Sequence, residues 1–151
     1  MSPNKPTHHE YDVCLSFASE QRSFVKAVAE ILRRQGVRVF YDQYEQAFLW
    51  GKDLYTHLDW VYQRAAQYCV MFVSKDYASK LWTSHERRSA QARAFSANTE
   101  YILPARFDDT EIPGLPSTIA DVDLRRMAPE NLAELIISKI GRSSCDSAIL
   151  P

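Results

Sequence analysis

The chain has 151 residues, 46% of them hydrophobic and 25% charged, and its 18 Lys and Arg against 19 Asp and Glu leave a formal net charge of −1. This is the composition of one soluble globular domain with a full core. It excludes an electrostatic footprint for nucleic acid, because Arg87-Arg88 and Arg125-Arg126 are isolated pairs rather than a basic stripe.

No run reaches the ~20 apolar residues of a membrane span, and the polar first ten residues hold no apolar segment like that of a signal peptide. A cytoplasmic protein without membrane or nucleic-acid partners is expected. Cys14, Cys69 and Cys145 have neither metal-ligand spacing nor an even disulfide count. The first two fall in apolar runs and read as buried free thiols.

Residues 1–10 read as a disordered lead-in. Tyr11 to Phe17 is a short buried strand, followed by Ser19 as a candidate helix N-cap. Phe24, Val28, Ile31 and Leu32 recur at helical spacing until Gly36 stops the helix. Val37 to Tyr41 is a second strand ending at Asp42, and Gln43 to Gly51 reads as a loop. Leu54, Leu58, Val61 and Ala65 mark a second helix, Tyr68 to Val73 a third strand, and Thr83 to Phe95 a third helix.

Tyr101 to Arg106 is a fourth strand, whose Pro104 favours an edge or an irregular ending. A weak strand at Ile119 to Leu124 precedes a last helix, with Pro129 in its first turn, Leu132, Leu135, Ile136 and Ile140 on one face, and Gly141 at its end. Residues 11–141 form the expected domain, and 142–151 a tail or the start of a linker. Alternating strands and helices, with near-continuous apolar strands, predict an α/β fold: a parallel sheet with helices on both faces.

Several sites are excluded by spacing. None of the four glycines falls in G-x-G-x-x-G or P-loop spacing. His85-Glu86 starts like H-E-x-x-H, but Ser89 stands where the second His is required, so no metal is expected. No G-x-S-x-G elbow is present. A phosphoacceptor receiver would want an acidic pair after strand one and an Asp ending strand three, where this chain has Phe17-Ala18-Ser19 and Ser74.

What remains is the stretch Ser74 to Glu86 after the third strand, at the sheet edge where open α/β folds bind ligands. Trp82 and Glu86, four residues apart, share one helix face. Thr83-Ser84-His85-Glu86 also has capping-box spacing, so the carboxylate has a purely structural reading as well.

Tyr11 to Phe17 resembles the first signature box of Toll/interleukin-1 receptor (TIR) domains, and Gly36 to Asp42 resembles their second strand. The loop with Trp50-Gly51-Lys52 resembles their BB loop, and Trp82 to Glu86 the W-x-x-x-E element of the NAD-consuming, bacterial-type members. The loop lacks the Pro-Gly of receptor-type members, and Thr83 stands where a Cys often follows the Trp.

The resemblance implies a flavodoxin-like five-stranded sheet of order 2-1-3-4-5. It also implies a defence-type NAD+ glycohydrolase, linear or cyclising, that acts by homotypic self-association and is fused to or associated with a sensor domain. NAD+ is then substrate, and no cofactor is implied. The alternative within the family is a non-enzymatic interaction module.

Nicotinamide is a neutral leaving group when it departs, so no general acid is needed, unlike the carboxylate pairs of glycosidases. One anion stabilising the ribosyl cation suffices, and with the resemblance Glu86 takes that role. Phe17 and Ser19 read as substrate contacts or as packing and capping groups, and Asp42 as a ribose contact or a loop cap. Trp82 reads as a pocket wall or a core contact, and Trp50 and Lys52 as a lid over the dinucleotide or a contact to a neighbouring subunit. Arg22 reads as an exposed helix arginine, with a pyrophosphate contact as the alternative. His57 and His85 have no assigned role.

Overall fold

Alternation along the strands decides which side chains meet the helices. The computed structural model describes residues 9–51, 65–81, 102–112, 115 and 118–145. In it Tyr11–Ser16 (β1) pairs in parallel with Val39–Phe40 (β2) on one side and with Ala66–Val73 (β3) on the other. Ile102–Arg106 (β4) joins β3, and Val122–Asp123 (β5) joins β4, giving a five-stranded parallel sheet of order β2-β1-β3-β4-β5.

Successive side chains of a strand point to opposite faces. On one face Val13 and Leu15 of β1, Val70 and Phe72 of β3 and Ala105 of β4 form a single cluster. It is covered by Arg22–Arg34 (α1) and Pro129–Cys145 (α4), which contribute Val25, Val28, Ala29, Leu32, Leu132, Ala133 and Ile136. Each Val, Leu, Ile or Phe side chain so taken out of water contributes roughly 1.5–3 kcal/mol, so this two-helix layer fixes β1 and β3 at the centre. On the other face Met71, Val73 and Ile102 pack against Tyr77 of Lys75–Leu81 (α3) and against Ile112. Cys14 and Cys69 face each other there across the β1–β3 register, both buried and free. Burial and the contact with Cys69 push the Cys14 thiol up, so it stays protonated.

The stop of α1 is as expected. Gly36 has φ +83°, its N–H bonds to the carbonyl of Arg33, and the Val37 N–H bonds to that of Leu32. These paired bonds form a Schellman motif, whose left-handed position suits glycine.

Other elements depart from expectation. Strand two spans only two residues, and what reads as a loop after it contains a 3-10 turn (Asp42–Glu45) and a short helix, Gln46–Leu49 (α2). A helix already starts at Lys75. Leu135 is exposed rather than part of the core, and α4 runs past Gly141 to Cys145, so residues 142–145 are helical rather than tail.

Pro104 pairs with Met71 on one side, while β5 pairs only from Ala105 onward. The missing N–H therefore falls where β4 has no second described partner. The expected helices at Leu54 to Ala65, apart from the buried Ala65 itself, and at Thr83 to Phe95 lie outside the described residues. No described helix is long and apolar enough to cross a membrane.

Leu32→Ala removes a fully buried contact of α1 and should cost about 2–5 kcal/mol. Gly36→Ala should cost about 1 kcal/mol through its positive φ. Urea denaturation of the two variants checks both values.

Candidate functional site

In a doubly wound sheet of this order the topological switch point lies between β1 and β3, and ligands bind outside the carboxyl ends of the strands there. Phe17 follows β1 directly, Tyr41 and Asp42 follow β2, and Ser74 follows β3. The fold thus delivers Phe17 and Asp42, both read from the sequence as substrate contacts, to one edge of the sheet.

Arg22 joins them. Its guanidinium donates to both carboxylate oxygens of Asp42, Nη1 to Oδ1 at 2.9 Å and Nη2 to Oδ2 at 2.7 Å. Nη1 also donates to the Tyr41 hydroxyl at 2.9 Å. The guanidinium carbon lies 4.9 Å from the Phe17 ring centroid and 5.6 Å from that of Tyr41, and the two rings stack at 5.7 Å. The Tyr41 hydroxyl in turn donates to Gln43 Oε1 at 3.1 Å.

The Asp42 hydrogen bonds push the Arg22 guanidinium still further up, so it is always charged. Burial raises the Tyr41 hydroxyl against the pull of Arg22, keeping it neutral. The Arg22 and Asp42 side chains are 31% and 41% exposed, and an ion pair this exposed adds only about 0–1 kcal/mol of stability.

Across the switch point a second polar set ties β1 to the start of α3. Ser16 and Tyr77 share a buried hydrogen bond of 2.6 Å between their hydroxyls. Burial pushes the Tyr77 hydroxyl well up, so it remains a neutral partner. Ser74 Oγ accepts the Tyr77 backbone N–H at 3.0 Å and donates to Gln21 Oε1 at 3.2 Å. Asp108, past β4, accepts the Lys75 N–H at 3.0 Å and the Thr110 N–H at 3.0 Å. Two side chains therefore satisfy free N–H groups in the first turn of α3, the helix that heads toward Trp82 and Glu86 in the sequence.

Ser19 is not the expected N-cap of α1. It opens a 3-10 turn (Ser19–Gln21), and α1 begins one turn later after Gln21 with no side-chain cap. Trp50 is 89% exposed and followed by Gly51 at φ +86°. Lys52, Trp82 and Glu86 lie outside the described residues, so their grouping with Phe17 and Asp42 rests on the sequence.

Tyr41 and Tyr77 carry the geometry without standing out in the sequence, while Arg22 reads there as an exposed helix arginine with a pyrophosphate contact as the alternative. One signal was available: a cation in the first turn of a helix opposes the helix dipole and needs an anion nearby. Among the described residues no group of three or more His, Cys, Asp and Glu side chains could hold a metal.

The model for the TIR domain matches residues 13–136. The chain belongs to the TIR domain family. Among its relatives, the 3' cyclic ADP-D-ribose synthase AaTIR of Aquimarina amphilecti is 57% identical over 136 residues, covering 90% of this chain and 42% of that protein. The NAD(+) hydrolase TcpC of Escherichia coli is 34% identical over 105 residues, covering 69% of this chain and 33% of that one.

This TIR chain thus spans less than half the length of those curated relatives. A metazoan TIR-STING receptor from C. gigas, solved in complex with 2',3'-cGAMP, superposes with a TM-score of 0.56 at 14% identity over 91% of this chain and 42% of its own. That likeness bears on fold alone.

Tyr77→Phe breaks the hydrogen bond to Ser16 and should cost about 1–2 kcal/mol, and Ser74→Ala about 1 kcal/mol through the lost cap, both read by thermal or urea unfolding. Burial alone would raise the Asp108 carboxyl, but hydrogen bonds from Thr110 and Lys75 and the charge of Arg106 hold it below its usual 3.8. Its stabilisation is complete above that value and lost as pH falls through the lower folded value. Asp108→Asn should therefore flatten the acid limb of a stability–pH profile, and an unchanged limb would contradict this.

Proposed function

We propose that this TIR chain consumes NAD+, breaking the nicotinamide–ribose bond and releasing nicotinamide. The observation that carries this is the 57% identity, along 90% of the chain, to a protein named a 3' cyclic ADP-D-ribose synthase. Further support comes from the 34% identity to an NAD(+) hydrolase. The Trp82 to Glu86 pattern, one carboxylate beside one aromatic, agrees with both.

In the proposed reaction the bond from the ribose carbon to the pyridinium nitrogen breaks and its electron pair leaves with nicotinamide. Water, or a hydroxyl of the same molecule, then adds to that carbon and gives up its proton, yielding ADP-ribose or a cyclic ADP-ribose. Glu86 stabilises the positive charge on the ribosyl group. Phe17, Ser19, Asp42 and Trp82 contact the nucleotide. Trp50 and Lys52 close over it or meet a neighbouring subunit. NAD+ is a substrate, so the reaction as proposed takes no cofactor.

We place the activity in the cytoplasm, as a defence effector switched on by self-association and governed by a fused or associated sensor. A large aromatic left 89% exposed in a turn suits a protein contact. The same observation favours the second reading, a module that assembles without cleaving NAD+.

Nicotinamide release, followed by chromatography for dilute, crowded and Glu86→Gln protein, separates the two readings. Release should rise with crowding and fall by about 100-fold or more in the variant, the range seen when a transition-state electrostatic group is removed. Folded, clustered protein that releases nothing would overturn the enzymatic reading, and an undiminished rate in Glu86→Gln would overturn the role of that residue.

A further inference from the structure

We propose that Arg22 is a positioning residue, which locks the Asp42 carboxylate and the Phe17 ring into one preorganised wall for the ribose of a bound dinucleotide. The inference rests on the dinucleotide reading above and goes beyond it. It assigns a positioning role to an arginine that from the sequence reads as an exposed helix residue or, as the alternative, a pyrophosphate contact.

Three observations carry it. The first is the fork: each carboxylate oxygen of Asp42 accepts a separate guanidinium nitrogen, at 2.9 and 2.7 Å. A surface aspartate held by a single contact retains several rotamers, whereas a bidentate fork leaves one. The second is the stack, with the guanidinium over Phe17 at 4.9 Å. The group that fixes the carboxylate after β2 therefore also fixes the ring after β1. The third is that this arrangement is poorly suited to stabilising the fold. The pair is partly exposed, so little stability comes from it, and Arg22 opens α1, where the helix dipole opposes a cation.

An arrangement with little return in stability and high geometric definition is what a preorganised site requires. Asp42 remains usable while held. Its side chain is 41% exposed, and a carboxylate oxygen that accepts one hydrogen bond keeps a further lone pair for a sugar hydroxyl. Lysine cannot substitute, because an ammonium neither forks onto a carboxylate nor stacks flat on a ring.

The test uses the full chain, with ADP-ribose as the binding probe in titration calorimetry and nicotinamide release from NAD+ under clustering as the kinetic readout. Arg22→Lys should keep its melting temperature within about 3 °C of wild type, since an exposed pair contributes little. It should weaken ADP-ribose binding by about 10-fold or more and raise KM more than it lowers kcat, in keeping with the steep cost of a misplaced contact group. Arg22→Gln, which keeps a planar head without the charge, is the second variant and should behave alike.

Combining Arg22→Lys with Asp42→Asn should lose clearly less than the product of the two single losses. The part of the Arg22 effect carried by that carboxylate is already gone, and only the part carried by Phe17 remains. Wild-type binding affinity in both Arg22 variants, or losses that multiply in full in the double variant, would overturn the proposal. So would a wild-type chain that does not bind ADP-ribose. A wild-type chain that binds ADP-ribose but releases no nicotinamide would defeat the enzymatic reading alone. In that case the Arg22 variants decide this proposal by binding.

Discussion

The parallel pairing of β1 with β3 is the constraint on which the rest depends. These strands are neighbours in the sheet though not in the chain, and the helices that follow Phe17 and Ser74 pack on opposite faces, the arrangement at which open α/β sheets form a ligand crevice. A slip of one residue in their register would swap Val13 and Leu15 with Cys14 and Ser16 between the two faces. It would then break the α1–α4 core and the Ser16–Tyr77 bond together. Stability and site geometry are thus fixed by the same register, Val13 opposite Tyr68 and Ser16 opposite Met71.

The polar contacts at that crevice divide into two kinds. The Ser16–Tyr77 bond and the Ser74–Tyr77 cap are buried, so they hold the start of α3 against β1 at real cost if broken. The Arg22–Asp42–Phe17 set is half exposed and contributes mainly order. A rigid frame beneath an accessible, well-ordered polar rim fits the proposed nucleotide site. The fold alone would not imply that activity, since unrelated functions share this sheet; the case for NAD+ comes from Glu86, Trp82 and the named relatives.

Much of the frame was legible in the sequence because it obeys simple periods. β1, β3 and β4 are short apolar runs, and α1 shows its helical repeat and its glycine stop. What was misread has physical reasons. Lys75 to Leu81 is mostly polar and begins right after a strand, so its helix is specified by Ser74 and Asp108 capping rather than by an apolar stripe. Gly141 fails to end α4, because a glycine inside a helix weakens it without stopping it unless the backbone turns left-handed. Leu135 fits the apolar spacing yet stays exposed, since spacing locates a face without saying how wide the covered stripe is.

At the site, Phe17 and Asp42 were legible as residues at strand ends, whereas the arginine that links them was not. Arg22 and Asp42 are 20 residues apart, and only the β1–β2 pairing brings them together. Ser19 does not make the cap its position suggests, because the 3-10 turn delays the start of α1 by two residues.

The central claim is that the nucleotide binds at the crevice between β1 and β3. Backbone amide NMR of the labelled chain, titrated with ADP-ribose, tests it directly. The predicted result is a contiguous set of shifts at Phe17 to Arg22, Asp42 and Ser74 to Tyr77, with α4 unaffected. Shifts confined to α4 or the β5 edge, with the crevice silent, would contradict it.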